Sequence, residues 1–389
     1  MPAIQPLASD PDAIARHIIE YGSTPADLEL DRVVAAPRAG PALAAALALP
    51  WPAGLAPQPQ ELPTVPSVDD PLPRADCLVM TWTVAEHEAL ADVLTPGVDR
   101  NRWFRYRRGF DERYRPQIRG GAPAVAANRL GSYYSTRIGQ KTVVCFKSEL
   151  HLNQDGIRTG EGTATLPVAD LFRQAIAEVQ PELVITTGTA GATYSHHQLG
   201  DVIVTRAARF RLSQEFRNEL WNGDTYRCDF QIPTGQLDGA KQLLAVHADR
   251  VQEPMFGPPT AQYPWDGPLI TPPVDVPDIK LDGRDFAAFH PILTTDSFEF
   301  GTSTNRLQYI GCGVEMGDAV LGMVAEELGA GAPRWLVVRN ASDPQINGQL
   351  QSSPRALNMQ AHWAVWYYET YGYWTSVNSA IAVWAMIAG

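Results

Sequence analysis

Trp335-Leu336-Val337-Val338-Arg339-Asn340-Ala341-Ser342-Asp343-Pro344 is the stretch whose reading decides the fold. An apolar run of strand length ends in a polar turn and a proline, so Ser342 and Asp343 fall at the carboxyl end of a buried strand. In an open α/β sheet, ligands bind just outside such ends. A carboxyl held there, half out of water, has a raised pKa and can act as a general acid. Taken alone, an Asp before a Pro is also what ordinary turn chemistry supplies.

Two further segments change that balance. Glu182-Leu183-Val184-Ile185-Thr186-Thr187-Gly188-Thr189-Ala190-Gly191-Ala192 is followed by Leu199-Gly200-Asp201-Val202-Ile203-Val204-Thr205, and Val314-Glu315-Met316-Gly317-Asp318-Ala319-Val320 opens a helical pattern that runs to about Leu328. Together with the Ser342-Asp343 turn, and in this order, they resemble the nucleoside phosphorylase/nucleosidase superfamily, above all its methylthioadenosine/S-adenosylhomocysteine nucleosidase branch. That family shows a strand ending in TG(S/T)AG, a GD(I/V)V strand, a V-(E/D)-M-E helix start and an R-x-x-S-D turn. The resemblance spans residues 76–389, with a poorly matching insertion near 213–290. It implies a single mixed-sheet α/β/α domain.

Patterning agrees with that organisation. Residues 1–75 are rich in Pro and Ala and read as an N-terminal extension, with one helix predicted from Asp10 to Tyr21. Pro41 to Ala56 lies too far from Met1 for a signal segment and is broken by Pro50 and Pro52, which predicts a short apolar helix or a docking segment. The catalytic part begins with a strand at Asp76–Trp82, followed by a helix with Val84, Leu90 and Leu94 on its apolar side. Lys141–Phe146 is a second strand, and Leu171–Val179 is an amphipathic helix leading into the Leu183 strand. Alternation of strand and helix predicts helices on both faces of a sheet. A helix is expected near Leu237–Val251, then a long Pro/Gly-rich loop at Glu253–Pro277. The Trp- and Tyr-rich end, Ala356–Ala388, is expected to form core or subunit interface, with a buried helix at Val377–Ile387.

Composition excludes several classes. A net charge of −12 over 389 residues argues against nucleic acid as a main partner. No apolar run is long enough to span a bilayer. Cys77, Cys145, Cys228 and Cys312 are scattered without metal-ligand spacing and read as buried thiols in a reducing cytoplasm. His196-His197 lacks a third ligand, so no metal is expected, and no cofactor either. The expected partner is a small nucleoside, and the expected state a homodimer or higher homo-oligomer.

Cleaving an N-ribosidic bond passes through an oxocarbenium-like sugar, and the base leaves only if a ring nitrogen is protonated. The resemblance puts Asp343 in the place of that acid and Ser342 beside it to orient it. It puts Phe298 where an aromatic stacks on the base, with Glu299 next to it at the base edge. Glu86 matches the glutamate that activates water, with Glu88 as the alternative register; a first-turn glutamate is also favoured simply by the helix dipole. Thr189, Ala190, Gly191, Glu315, Met316 and Asp318 complete the implied substrate-binding set. Phosphorylases of the superfamily carry an arginine where this chain has Thr186, which cannot clamp phosphate, so hydrolysis is favoured. The basic run Arg100, Arg102, Arg105, Arg107, Arg108, Arg113, Arg115, Arg119 keeps phosphate-dependent cleavage open as the alternative, although a solvated strip paired with Asp99, Asp111 and Glu112 explains it equally well.

One departure stands out. The second glutamate of E-M-E binds the ribose hydroxyls in the family, and here it is Gly317. Asp318, the next residue, points about 100° away on a helix. Asp318 then reaches the sugar through a shifted backbone, or the sugar lacks or masks a hydroxyl, or the chain is a non-catalytic nucleoside-binding protein. Glu149-Leu150-His151-Leu152-Asn153-Gln154 also departs from the family pattern, so His151 or Asn153 is a further candidate for the sugar.

Overall fold

The computed structural model describes residues 47–62, 64–251, 275–297, 299, 305–343 and 354–389. Its centre is four parallel strands in the order β5 (Lys141–Ser148), β2 (Cys77–Thr81), β6 (Leu183–Ala192) and β13 (Arg334–Asp343). Their sequences are near-continuous apolar runs, as strands covered on both faces must be. Even-numbered Leu78, Met80, Val144, Phe146 and Val184, with Val337, face one way; Cys77, Val79, Val143, Cys145, Leu183 and Ile185, with Leu336 and Val338, face the other. The period of two thus builds two separate cores, one on each side of the sheet.

Helices cover both. The first face carries α4 (Pro167–Val179) and α6 (Asp318–Leu328), through residues such as Phe172, Val179, Val320 and Val324. The second carries α1 (Val84–Leu94), α5 (Leu237–Ala248) and α7 (Pro354–Ala388). The short helices α2 (Pro123–Ala127) and α3 (Leu152–Asp155) lie in connections. The result is the α/β/α layering expected.

The sheet is mixed because its flanks reverse. β4 (Gly131–Ile138) runs antiparallel to β5, with β1 (Gln58–Gln60) and β3 (Phe104–Tyr106) paired to it. β7 (Val202–Thr205) is antiparallel to β13 and carries β10 (Ile279–Leu281). The far end of β6 pairs antiparallel with β12 (Gly313–Glu315), and beyond it lie β11 (Ile292–Thr294), β8 (Ala207–Phe210) and β9 (Thr225–Arg227). The stretch near 213–290 therefore supplies two strands and α5 to the same body.

The C-terminal helix is longer than its apolar pattern foretells: Val377–Ile387 is only the last part of a 35-residue helix. Tyr367, Tyr371, Trp374 and Trp384 are buried along it, so these aromatics are core. Trp384 also receives the N-terminal segment. Trp51 packs on its ring at 5.1 Å between centroids, and its indole N–H donates to the Leu55 carbonyl at 2.7 Å. Residues 47–56 form no helix: they turn at Ala53–Gly54 and dock on the C-terminal helix. The predicted helix at Asp10–Tyr21, most of the Glu253–Pro277 loop and Phe298 lie outside the described residues. The four cysteines are buried and unbridged, and burial pushes the Cys77 thiol up to about 12. Among the described residues no helix is long and apolar enough to cross a membrane.

Trp384→Ala removes a fully buried ring, its N–H bond and the seat of Trp51 at once. The expected loss is roughly 3–5 kcal/mol of unfolding free energy, read from denaturant titration; a loss below about 1 kcal/mol would show that the helix end and residues 47–56 are not anchored there.

Candidate active site

The carboxyl ends of β2, β6 and β13 lie side by side, as their register requires: Met80 pairs with Thr186, and Asn340 with Thr189. Along these ends and the start of α6 most residues are buried, but Thr83, Thr189, Met316 and Asp343 each keep partial exposure. These four half-open positions mark where the sheet end meets its surroundings. Four charged side chains are buried beneath them: Glu86, Glu315, Asp318 and Arg339.

Glu86 is placed by helix capping. Thr83 is the N-cap of α1 and Glu86 its N3 residue, and the two form a capping box. The Glu86 carboxylate turns back to the strand end, where Oε2 accepts from Thr81 Oγ1 at 2.9 Å and from the N–H groups of Trp82 and Thr83 at 3.0 and 2.9 Å. Its Oε1 accepts from Thr189 N and Oγ1 at 2.8 and 2.9 Å. Room for it comes from Gly188, at φ 149°, where a side chain would overlap the carboxylate. Burial alone would raise the Glu86 pKa; the Arg339 charge and the backbone N–H groups of Thr83, Thr189 and Trp82 outweigh it and hold it below the ordinary carboxylate range. Glu88, the alternative register, is only half-buried on the same helix.

Arg339 occupies the middle. Its Nε and Nη2 bond the two Asp318 oxygens at 2.9 and 2.5 Å, Nη2 stands 3.4 Å from Glu315, and the guanidinium lies 5.0 Å from the Trp82 ring centroid. Burial would lower the Arg339 pKa, but Asp318 and Glu315 outweigh it and raise it. Glu315 caps the start of α6, accepting from Gly317 N at 2.5 Å, Asp318 N at 2.9 Å and the Thr294 hydroxyl. Burial first, then the neighbouring Asp318 charge, push the Glu315 pKa up to about 8. Asp318 thus turns to Arg339. Gly317 is extended, with φ −175°, and a Cβ on it would lie 3.7 Å from Trp82 Cζ2, an ordinary contact. The indole edge therefore stands beside this position, fixed by its N–H bond to Leu150 O at 3.0 Å.

Asp343 stands apart from this charged group. It pairs in register with Gly191, and a Cβ there would come within 2.8 Å of Oδ2. Its Oδ1 accepts from Ser342 Oγ at 2.8 Å. With no cation among the causes acting on it, burial pushes its pKa up to about 7, opposed only by the Ser342 bond. Glu86 meets β6 at Thr189 and Asp343 meets it at Gly191, two residues on, or roughly 7 Å along the strand at 3.3 Å per residue.

Of the residues expected from sequence, Glu86, Thr189, Ala190, Gly191, Glu315, Met316, Asp318, Ser342 and Asp343 converge at this sheet end. Glu299 pairs with Arg211 at 2.6 Å on the more exposed side. Asp296, three residues earlier, accepts from the N–H groups of Ser213, Gln214 and Phe216 and so joins the β8 and β11 exits. Sequence reasoning passed over Arg339 and Trp82, though both lie inside the quoted segments; the sign was a charged residue inside an otherwise apolar strand and a Trp at a strand end. In the basic run, Arg107 and Arg115 contact Asp111, Arg108 contacts Glu178, Arg113 contacts Asp170 and Arg119 contacts Glu215.

Arg339→Met would leave Asp318 and Glu315 buried beside each other without their cation. The expected cost is roughly 3–5 kcal/mol, with partial recovery in Arg339→Met/Asp318→Asn; unfolding curves that match the wild type would show that the guanidinium is dispensable to the fold.

A family profile, the phosphorylase superfamily, matches residues 109–353. No curated protein matches the sequence. Among solved structures, the chain is similar to futalosine hydrolase of Helicobacter pylori, with 12% identity and a TM-score of 0.40, covering 80% of this chain and 96% of that one. It is similar to a putative 5'-methylthioadenosine/S-adenosylhomocysteine nucleosidase from Borrelia burgdorferi bound to adenine, with 14% identity, a TM-score of 0.41 and coverage of 80% and 98%. It is also similar to S-adenosylhomocysteine nucleosidase from Streptococcus pyogenes in complex with 5-methylthiotubericidin, with 14% identity, a TM-score of 0.40 and coverage of 82% and 98%.

Proposed function

Because this chain belongs to the phosphorylase superfamily, we propose that it is a nucleosidase that hydrolyses the N-glycosidic bond of a purine-type nucleoside to free base and sugar. The observation that carries this reading is Asp343: a carboxyl at a strand end, about 7 in pKa, beside Ser342 and away from the Arg339 cation. Such a group holds a proton near neutrality and can give it to a departing ring nitrogen. Glu86 meets β6 at Thr189, two residues before Gly191 where Asp343 meets it, and supplies fixed negative charge toward the cationic sugar. A protonated acid and an ionised carboxylate set apart along one strand end are the two groups this displacement needs.

Water rather than phosphate is favoured by two features. Thr186 stands in the buried body of β6 where phosphorylases carry arginine, and the arginines Arg107, Arg108, Arg113, Arg115 and Arg119 face carboxylates. On the sugar side, Asp318 is held by Arg339, and Gly317 offers no carboxylate beside the Trp82 edge. A ribose diol therefore gains less here than it would from a carboxylate, so the substrate is read as a deoxy sugar or one modified on that face. A cytoplasmic homo-oligomer remains our reading of the protein's setting.

The acid role has a pH signature. Asp343 works protonated, so kcat/KM is expected to fall as pH rises through about 7, and Asp343→Asn to lower turnover by ~10²–10⁴-fold with ligand binding nearly kept. Near-normal turnover in the variant would remove Asp343 from the mechanism.

Product analysis tests the rest. With adenosine, 2′-deoxyadenosine or methylthioadenosine in phosphate-free buffer, free base and free sugar are expected, with weak preference between the first two, and Gly317→Glu is expected to shift kcat/KM toward adenosine. Sugar 1-phosphate formed only when phosphate is added would replace hydrolysis by phosphorolysis; a strong wild-type preference for adenosine would overturn the reading of the sugar side.

A further inference from the structure

Glu86 has a difficulty as the group that takes the proton of the attacking water. A carboxylate offers about four lone-pair positions, and five protein donors already point at this one: Thr81 Oγ1, Trp82 N, Thr83 N, Thr189 N and Thr189 Oγ1. Three of the five are backbone N–H groups fixed by the strand end and the capping box, and they do not swing aside for a water. The carboxylate is bound as a helix cap and a strand tie.

A side chain linked to it through Trp82 has the opposite character: the Trp82 backbone N–H donates to Glu86, and the Trp82 indole N–H donates to the carbonyl of Leu150, the residue before His151. His151 lies three residues past the end of β5 and is 9% exposed. Its backbone is fixed twice: its N–H donates to Asp155, and the preceding Leu150 carbonyl accepts the Trp82 indole N–H. Its Nε2 is buried and has no hydrogen-bond partner among the described residues. Lys147 first, opposing a proton on the ring, then Glu149 and Glu86, favouring it, are the charges acting on His151. A buried nitrogen left unmatched costs roughly 1–3 kcal/mol, which a bound water or substrate hydroxyl would relieve.

Resting on the hydrolase reading above, we propose that His151 Nε2 is the atom that accepts the proton of the attacking water, with Glu86 as the fixed charge behind it. The water oxygen bonds to the anomeric carbon as the carbon–nitrogen bond breaks. The electron pair of that bond goes to the base, which takes a proton from Asp343. The water gives one proton to His151, so the positive charge of the sugar ends on the imidazolium, in the field of the Glu149 and Glu86 carboxylates and against that of Lys147. Exchange with solvent then returns a proton to Asp343 and removes one from His151. Burial keeps the imidazole neutral, pulling its pKa down to about 3, so its lone pair is free before each turnover.

The test compares wild type, His151→Gln, His151→Ala and Asp343→Asn on adenosine, 2′-deoxyadenosine and methylthioadenosine, with and without added imidazole. Gln keeps a neutral hydrogen-bonding group but takes no proton. Expected is a fall in kcat of about 10²-fold in both His151 variants, with KM within a few-fold of wild type, and partial restoration by imidazole in His151→Ala only. Wild-type kcat in His151→Gln, a change confined to KM, or a deficit in His151→Ala that imidazole does not lift would each overturn the proposal while leaving hydrolysis intact. Release of no base by the wild-type protein would instead sink the hydrolase reading, and this one with it.

Discussion

The Arg339 guanidinium is the point on which this site is built. It enters on the central strand β13, is almost wholly buried, and meets Asp318 through two bonds and Glu315 at longer range. Asp318 begins α6 and Glu315, at the end of β12, caps it, so one side chain fixes where that helix starts relative to the sheet. The Trp82 ring lies against the same guanidinium, which links the end of β2 to the arrangement as well. A lone cation in such a place would be prohibitively costly to bury; with its partners it becomes a fixed joint between three elements. With Glu315 pushed toward its neutral form, Glu86 and Asp318 still set two carboxylates against the Arg339 guanidinium, so the region as a whole favours positive charge arriving in it.

The same economy of position explains why two carboxyls close in space behave differently. Glu86 is surrounded by N–H and O–H donors and feels Arg339, and is held ionised. Asp343 has one hydroxyl and burial, and is held nearer to neutrality. Neither environment depends on residues far away: each is set by the stretch of β6 that the carboxyl meets, Thr189 for Glu86 and Gly191 for Asp343. Gly188 and Gly191 matter because their missing side chains are where the two carboxyls sit.

Much of this was legible in the chain. The strand at Leu183, the strand that ends in Ser342-Asp343 and the helix that opens at Asp318 could be read because apolar runs and polar turns alternate there, and the turn carried the residues of the site. The length of α7 was not legible, since its aromatics bury on all sides and leave no periodic face. The crowding of Glu86 was equally hidden: five donors from two segments reach it, and only one of those segments adjoins it in sequence. Arg339 was visible as a letter, but its meaning depended on Asp318 and Glu315, which lie 21 and 24 residues away. Asp318, judged from helix geometry as pointing away from the sugar, has its own use in the pair with Arg339.

The position of β6 has a kinetic consequence. Its neighbours β2 and β13 come from opposite ends of the fold, and the bond from Asn340 to the Gly188 carbonyl closes 152 residues of chain. Such separated pairings are slow to form, because loop closure is unfavourable until the contacts behind it are made. During synthesis most of one edge of the Leu183–Ala192 segment stays unpaired until residue 343, 151 residues on, has left the ribosome, roughly 8–30 seconds later at about 5–20 residues per second. An apolar edge open for that long is a template for pairing with another chain. The last strand to be made is therefore both the one that carries Asp343 and the one that shuts the sheet against aggregation.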